Sequence, residues 1–461
     1  MHTVFPPGTA SHVSERPLFP SRARAVCTAA TALVLFCAMC QGAVAQESAP
    51  DRRPPAGAFA GGGPGGPEGR WREVVPVESG TSVSGELTPE QRAQIEQLNS
   101  IGYLGASRPA SGSSGVTIYD RARAADGLNF YSSGHAAAAA LTDMDGRVLH
   151  TWRRDFLDVW PDRSDLVSNT QTSHWRRAYL YENGDVLGIY EGVGIVKVDR
   201  DSNVLWKHLG GEHHDLEVMD DGRIFVLSRE SGVVPEVSDR SIILEDFVTV
   251  LDADGTELGR RSILDAFWNS SYEQAVRALN FRTAGDITHT NTLHLLDGTL
   301  SDVIPAFSAG NFLISFRKLD AIAVLDYDAN EIVWLMAGPW LGQHQPELLP
   351  GGTILLFDNG GAGPHSRVVE FNPVTQEQVW SYGQVEGEEF YTKSCGTAER
   401  LGNGNTLITE SDNGRAFEVT TAGETVWEYW NPERAGEDDE LIATLFEMLR
   451  LPADYADDWL R

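Results

Sequence analysis

From about residue 115 onward, the chain repeats a pattern of short apolar segments separated by turn sequences. In one half of the repeat, two apolar segments flank an Asn-Gly or Asp-Gly pair, as in residues 178–187 and 216–225. Such a pair between apolar segments is the strongest short-range signal of a β-hairpin. Related turns at Gly352 and Gly404 extend the pattern. The sequence therefore predicts β-hairpins over most of its length.

The other half of the repeat is a second hairpin that usually ends in tryptophan. Its six copies end at Trp152, Trp206, Leu258, Trp334, Trp380 and Trp427. Two hairpins make one four-stranded blade, and roughly 40–50 residues per blade is typical of β-propellers. We therefore predict an all-β fold, a six-bladed β-propeller over residues 115–430 whose first blade opens at residues 116–119. The tryptophans are expected to pack between blades.

The two ends of the chain differ from the repeats. An apolar run at residues 25–39 follows two arginines and precedes Ala-Val-Ala at 43–45, which predicts a signal peptide over residues 1–45. Residues 46–114 are predicted to be a low-complexity linker, disordered to about residue 86, with a short helix from Thr88 to Gly102. The apolar spacing of Leu441 to Leu449 predicts a helical C-terminal tail over residues 431–461.

These features predict a periplasmic or secreted protein with no membrane span after signal removal; a retained anchor is the alternative. Cys395 is the only cysteine after residue 45, so no internal disulfide is expected. The formal net charge of −30 excludes nucleic acid as an expected partner, because binding a phosphate backbone requires a basic surface.

Histidine recurs at nearly the same place in four repeats. His174, His214, His289 and His344 precede the turn glycine of their repeats by ten, eight, nine and eight residues. This is where the innermost strand of each blade should begin, beside the central channel. Residues distant in sequence are therefore expected to meet at one channel mouth.

Arg317 ends the strand that follows the His289 hairpin, so it is expected at the same mouth. Imidazoles beside a fixed guanidinium suit a tetrahedral anion, because they offer hydrogen-bond donors and a nitrogen nucleophile. A histidine cluster could instead hold zinc, with Asp215, Glu212 and Asp358 as supporting acids. The permanent charge of Arg317 favours the anion, and we predict no metal.

The sequence contains no P-loop, Rossmann, paired-cysteine or Gly-x-Ser-x-Gly motif, so no nucleotide cofactor is expected. The segments that carry chemical groups are His213-His214-Asp215, His289-Thr290-Asn291, Phe316-Arg317, Gln343-His344, and residues 357–360 and 404–408. In this order and spacing they resemble the bacterial aryl-sulfate sulfotransferase family, exported enzymes that use no nucleotide sulfate donor. The resemblance covers most of residues 115–430.

The resemblance implies that His344 is the nucleophile and forms a sulfohistidine. It implies that His289, Arg317 and Asn291 hold the sulfuryl oxygens. His214 or His213 would complete this cage, and His214 is preferred because its spacing to the turn glycine equals that of His344. His174 has no role in the family pattern and is left as channel lining.

The implied substrates are an aryl sulfate and a phenol, with no cofactor. The chain differs from the family's best-known members in its N-terminal region, in having no cysteine pair, and in about ten extra residues near 301–310. These differences leave substrate range and a homodimer open. Two other functions stay open as well. One is a non-catalytic propeller that binds a sulfated ligand or a protein, and the other is a metal-dependent hydrolase.

Overall fold

The described part of the chain is mostly β-structure. The computed structural model describes residues 87–278, 282–361, 363, 365–383, 390–436 and 438–460. The predicted signal peptide and the segment predicted to be disordered lie outside these residues.

The first element, α1 (Pro89–Asn99), is the short helix predicted from the sequence. The Gln91 backbone N–H donates to Thr88 Oγ1 at 3.1 Å, and the Thr88 N–H donates to Gln91 Oε1 at 2.9 Å. This reciprocal capping box satisfies two N–H groups that a helix start otherwise leaves unpaired. The predicted helix is therefore confirmed, with its last residue at Asn99 rather than Gly102.

The strands form six antiparallel sheets of four strands, with a smaller sheet at one edge. In chain order the strands and further α-helices are β1 (Ala106–Pro109), β2 (Gly115–Tyr119), β3 (Leu128–Ser133), β4 (Ala138–Thr142), β5 (Val148–Arg153), α2 (Phe156–Val159), β6 (Arg177–Leu180), β7 (Val186–Tyr190), β8 (Gly194–Val198), β9 (Val204–His208), β10 (Glu212–Val218), β11 (Ile224–Val233), β12 (Ile242–Leu251), β13 (Glu257–Ser262), α3 (Ile263–Trp268), α4 (Glu273–Ala278), β14 (Gly285–Asp286), β15 (Thr290–Leu295), β16 (Phe312–Phe316), β17 (Ala321–Asp326), β18 (Glu331–Ala337), β19 (His344–Leu348), β20 (Ile354–Asp358), β21 (Arg367–Phe371), β22 (Gln378–Gly383), β23 (Thr397–Arg400), β24 (Thr406–Glu410), β25 (Arg415–Val419), β26 (Thr425–Trp430), β27 (Arg434–Ala435), β28 (Leu441–Ala443) and β29 (Leu445–Leu451).

The six sheets form a closed, propeller-like ring. Their strand orders are β29-β3-β4-β5, β6 to β9, β10 to β13, β15 to β18, β19 to β22, and β23 to β26. Strand β14 pairs in parallel with β12 of the third sheet, β2 pairs with β26 at the edge of the sixth sheet, and β1, β28 and β27 form the small sheet. Neighbouring sheets meet through their inner strands, and the ring closes where β23 and β24 contact β29.

The strands near the two ends of the chain differ from the prediction in two respects. The tail predicted to be helical contains β28 and β29, and β29 pairs with β3 as the inner strand of the first sheet. An inner strand is buried on both faces, so its apolar residues do not alternate, and its sequence resembles that of a buried helix. The predicted opening strand at residues 116–119 lies in β2, which pairs with β26 at an outer edge. The C-terminal strand thus completes the first sheet.

The tryptophans connect neighbouring sheets, as predicted. Indole N–H groups on the fourth strands donate to carbonyl oxygens in the next sheet. Trp152, Trp206, Trp380 and Trp427 reach the carbonyls of Gly184, Ala253, Thr421 and Met144 at 2.9, 2.9, 3.0 and 2.9 Å. A buried indole N–H requires such a partner, and each bond here joins two sheets.

Three glutamates lie on the inner strands β10, β19 and β23. Burial is the main cause that raises the pKa of Glu217, Glu347 and Glu399 from 4.5 to about 7. Glu347 is raised further by the charges of Glu399 and Glu217. Ionised carboxylates are therefore costly in this part of the ring.

We predict that Glu399→Gln stabilises the protein at pH 8 by about 1–3 kcal/mol. A raised native pKa means that the folded chain binds the extra proton between pH 4.5 and 7. The cost of the charge is therefore present above pH 7 and disappears as the pH falls toward 4.5. Gln can still accept the 3.0 Å bond from the Arg450 N–H. Urea unfolding at pH 8 and pH 4.5 measures the difference, with exposed Glu377→Gln as control. Equal stabilisation at both pH values would contradict the assignment.

Candidate active site

The inner strands begin with an unusual backbone conformation at one mouth of the ring. His214, His289, Gln345 and Cys395 have positive φ values of 52°, 50°, 44° and 59°. The strand register shifts beside the first three, in β10, β15 and β19. Non-glycine residues adopt this conformation at an energetic cost, and such residues concentrate at functional sites. The same local distortion therefore marks several neighbouring inner strands where the predicted histidines lie.

A small cavity of about 20 Å³ lies at this mouth. Its lining includes three of the predicted residues, His214, Asn291 and His344. The other lining residues are Arg176, Arg177, Asp215, Thr292, Gln345, Gly396 and Thr397. The inner strands therefore bring together residues that are more than 100 positions apart in the sequence.

His344 is held in one tautomer by Asn359. The Asn359 amide donates to the carbonyl oxygens of Thr392 and Cys395 at 2.9 and 2.8 Å, so its Oδ1 is fixed as an acceptor. That Oδ1 lies 2.6 Å from His344 Nδ1, which must therefore be the protonated nitrogen. The lone pair is left on Nε2, which is buried and has no hydrogen-bond partner among the described residues.

Electrostatics also keep His344 neutral. Burial, followed by the charge of Arg317, lowers the pKa of His344 well below 6.5. A neutral imidazole with a free Nε2 lone pair is the form that acts as a nucleophile. His344 therefore has the tautomer and the charge that a nitrogen nucleophile requires.

His289 also donates a hydrogen bond from Nδ1, but its partner is a carboxylate rather than an amide oxygen. Its Nδ1 lies 2.5 Å from Asp286 Oδ2. Burial alone would raise the pKa of Asp286, but its interaction with His289 brings the pKa below its ordinary value, so the carboxylate is ionised. Asp286 therefore accepts the Nδ1 proton, so in the neutral imidazole of His289 the lone pair lies on Nε2, which can accept a proton. This His–Asp pair has the geometry of a general base.

His213 and His214 have different positions. His214 Nδ1 lies 2.7 Å from His213 Nδ1, whereas His213 Nε2 lies 3.5 Å from Asp246 Oδ1. Burial lowers the pKa of both histidines well below 6.5, so both are neutral. His213 was predicted to bind substrate, but it is not among the residues that line the cavity. It instead forms a hydrogen bond with His214. The two side chains diverge because His214 has a left-handed backbone conformation.

The side chain between His214 and His289 comes from the segment after α1. The Tyr103 hydroxyl lies 2.6 Å from His214 Nε2 and 3.1 Å from His289 Nε2. Because His289 Nε2 accepts, the Tyr103 O–H donates to it and accepts from His214 Nε2–H. His214 Nδ1 then accepts from His213. One arrangement of protons thus satisfies the three hydrogen bonds that join these four side chains.

Two arginines at the site have no acidic partner. Neither Arg176 nor Arg317 forms an ion pair with a carboxylate of the described residues, and the Nε atoms of both are buried without a hydrogen bond. Arg176 is only 5% exposed and lies over the Tyr103 ring, 4.9 Å from its centroid. The charges of Glu191 and Glu447 act on Arg176 at longer range, but neither carboxylate forms a direct ion pair with it. A guanidinium whose N–H groups lack partners is best stabilised by an anion. The pair therefore points to an anionic ligand.

Two further predicted residues have partners within the protein. Asn291 Nδ2 donates to the Gln343 carbonyl oxygen at 2.9 Å, which leaves its second N–H for the cavity. His174 is fully buried, stacks on Phe446 with ring centroids 4.8 Å apart, and has a pKa lowered to about 4 mainly by burial. It is not among the residues that line the cavity.

A metal fits this site poorly. Glu191, His213 and His214 place ligand-type atoms within 4.8 Å of one another. Glu191 Oε1, however, pairs with Arg229 at 3.2 Å, and both nitrogens of His214 have other partners. The supporting acids considered above are also engaged: Asp215 pairs with Arg177, Glu212 with His208 and Asp358 with Arg367. The charges are therefore balanced within the protein, and a divalent ion would have to displace these contacts.

Sequence reasoning missed Tyr103, Arg176, Asp286 and Asn359. Two of them had a local signal. Asp286 precedes His289 by three residues, and Asn359 lies in a segment already singled out for the family resemblance. Arg176 follows His174 by two residues at the start of its inner strand. Nothing near Tyr103 in the sequence indicates its position.

Fold and site together define a propeller-like, mostly β protein with a histidine and arginine centre suited to an anion. A profile of the arylsulfotransferase (ASST) family matches residues 178–432, more than half of the chain. The chain belongs to the arylsulfotransferase family, which confirms the resemblance inferred from the sequence and supports arylsulfotransferase activity in general. No curated protein matches the sequence.

Several solved structures are similar in outline. A protein of unknown function from Bacteroides caccae is 12% identical with a TM-score of 0.44, covering 70% of this chain and 98% of that one. The WD40 β-propeller domain of Doa1 is 11% identical with a TM-score of 0.39, covering 76% and 96%. BamB from Moraxella catarrhalis is 10% identical with a TM-score of 0.33, covering 72% and 84%.

The search for membrane-spanning helices covers only the part of the chain that the structure describes. No helix in that part is long and apolar enough to cross a membrane.

Proposed function

We propose that the protein is a periplasmic or secreted sulfotransferase that moves a sulfuryl group from an aryl sulfate ester to a phenol, without a nucleotide donor. The scaffold is a six-bladed propeller in which each four-stranded sheet is one blade. The observation that carries the proposal is the tautomer of His344. Its Nε2 lone pair is free and buried, near two guanidinium groups that have no acidic partner.

In the first half-reaction, His344 Nε2 attacks sulfur and the S–O bond to the aryl group breaks. The product is a sulfohistidine and a phenolate. Arg317, Arg176 and the free N–H of Asn291 stabilise the negative charge on the sulfuryl oxygens. A phenolate is a stable leaving group, so the step requires no activated cofactor. His214 Nε2–H donates a hydrogen bond to the departing oxygen.

In the second half-reaction, an acceptor phenol replaces the Tyr103 hydroxyl between His214 and His289. Its proton passes to His289 Nε2, and the resulting imidazolium is stabilised by the Asp286 carboxylate. The phenol oxygen then bonds to sulfur and the N–S bond breaks. His344 returns to its neutral form with the proton still on Nδ1. Once His289 has released the proton to solvent, the products are a new aryl sulfate and free enzyme.

The proposal is tested by trapping the intermediate. The protein is mixed with 4-nitrophenyl sulfate, quenched, and digested with trypsin, which releases His344 in the peptide 319–367. We expect this peptide to gain the mass of one sulfuryl group and to lose it when phenol is added before the quench. Nitrophenol release without label on this peptide would exclude the sulfohistidine. A repeat after chelation of metals tests the hydrolase alternative, which requires the activity to disappear.

A further inference from the structure

The segment that carries Tyr103 crosses the mouth of the ring. We call residues 99–105 the strap. It continues from α1, which packs against β11 and β12, toward β1 in the small sheet. Its backbone is bound to the second sheet's entry loop: the Tyr103 N–H donates to the Thr170 carbonyl oxygen at 2.9 Å, and Gln171 Nε2 donates to the Asn99 carbonyl oxygen at 2.6 Å. Arg229 donates to the Ile101 carbonyl oxygen.

Two glycines allow the strap to lie directly on the ring. A Cβ atom at Gly102 would lie 2.2 Å from the Thr170 carbonyl oxygen, and one at Gly105 would lie 2.3 Å from the Gly134 carbonyl oxygen. Real Cβ atoms do not approach oxygen so closely, so larger residues would push the strap away. The backbone contacts and the close approach show that the strap is fitted to this surface along its length.

The docking of the strap places the Tyr103 phenol in the position that the proposed mechanism gives to the acceptor. Tyr103 donates its hydroxyl proton to His289, whose other nitrogen is bound to Asp286, and it accepts from His214. The Tyr103 ring lies under the Arg176 guanidinium and edge-on to Phe446, with ring centroids 6.5 Å apart. Its side chain is therefore chemically and positionally equivalent to an acceptor substrate.

We propose that Tyr103 is an internal acceptor, which the enzyme converts to tyrosine O-sulfate. The proposal rests on the proposed function. The sulfuryl group passes from His344 Nε2 to the Tyr103 oxygen: the N–S bond breaks, an O–S bond forms, and the phenolic proton moves to His289 Nε2. His344 returns to its neutral form. The new sulfate monoanion lies near Arg176 and Arg317, which have no acidic partner of their own.

The experiment uses the full-length chain with 4-nitrophenyl sulfate and no added phenol. Digestion with trypsin and then clostripain, which also cuts the Arg108–Pro109 bond that trypsin leaves intact, releases Tyr103 in the peptide 93–108. Tyr103 is the only tyrosine of this peptide, which contains no histidine. We expect this peptide to gain one sulfuryl group per chain in the wild type. The Tyr103→Phe and His344→Ala variants should show no gain on the same peptide.

A second variant moves the strap without altering any residue of the site. Gly102→Val should displace Tyr103, so we expect it to lose the label on peptide 93–108 while it still releases nitrophenol in the presence of added phenol. A melting curve by circular dichroism establishes that the variant is folded. Retention of the label in Gly102→Val at the wild-type level would overturn the assigned position of Tyr103.

The outcomes separate this proposal from the proposed function. Label on peptide 319–367 with none on peptide 93–108 leaves the sulfohistidine intact and overturns the internal acceptor. Label on neither peptide, with no nitrophenol released, overturns both. Label on peptide 93–108 that persists in Tyr103→Phe places the modification on another residue and also overturns the internal acceptor.

Discussion

His344→Ala should lower the rate of nitrophenol release from 4-nitrophenyl sulfate by about 10³-fold or more, the size expected when the nucleophile of a covalent mechanism is removed. The remaining groups can still bind the sulfate through Arg317 and Arg176, so donor binding should be lost much less than turnover. Stopped-flow measurement of nitrophenol absorbance, with donor binding measured separately by calorimetry, separates the two effects.

The matched control is His365→Ala. His365 is exposed and lies in the same tryptic peptide as His344. It should have wild-type kinetics. Asn359→Ala tests the tautomer argument, because it removes the acceptor that holds the proton on Nδ1 of His344. Its turnover should lie between those of the wild type and His344→Ala. Wild-type turnover in His344→Ala would show that another group attacks sulfur.

Much of the fold could be predicted because the repeats are local. Hairpin turns and apolar segments lie within ten residues of each other, and the six second hairpins, five of which end in tryptophan, correspond to the outer strands of the sheets. The closure of the ring was not local. Strand β29 pairs with β3 across more than 300 residues, and only this pairing distinguishes its apolar sequence from that of a helix. The prediction placed β2 in the first sheet for the same reason, because its actual pairing with β26 is also distant in sequence.

The site also contains residues that the repeats predict and residues that they do not. His214, His289 and His344 could be predicted to meet because each occupies a similar position in its own repeat. Tyr103 lies outside the repeats, and its place depends on how the strap docks through Gly102 and neighbouring contacts. No periodicity encodes such docking. Arg176 became recognisable as functional only when the structure showed that no described carboxylate pairs with it.

Asp286→Asn should slow transfer to phenol by about 10²–10⁴-fold, the usual contribution of a positioned general base. Asparagine fills the same volume but carries no charge, so it cannot stabilise the imidazolium that forms when His289 takes the phenol proton. Its amide can also donate to Nδ1, which would move the His289 proton to Nε2 and leave no acceptor for the phenol.

The two half-reactions distinguish this role from a structural one. Sulfohistidine formation from 4-nitrophenyl sulfate does not require a base, because nitrophenolate leaves without a proton. In Asp286→Asn the label on peptide 319–367 should therefore form at nearly the wild-type rate and then persist after phenol is added. The exposed Asp302→Asn in the same repeat should behave like the wild type. Equal loss of both half-reactions in Asp286→Asn would instead mean that the carboxylate maintains the fold of the site, since damage to the site slows both chemical steps and loss of a base slows only the second.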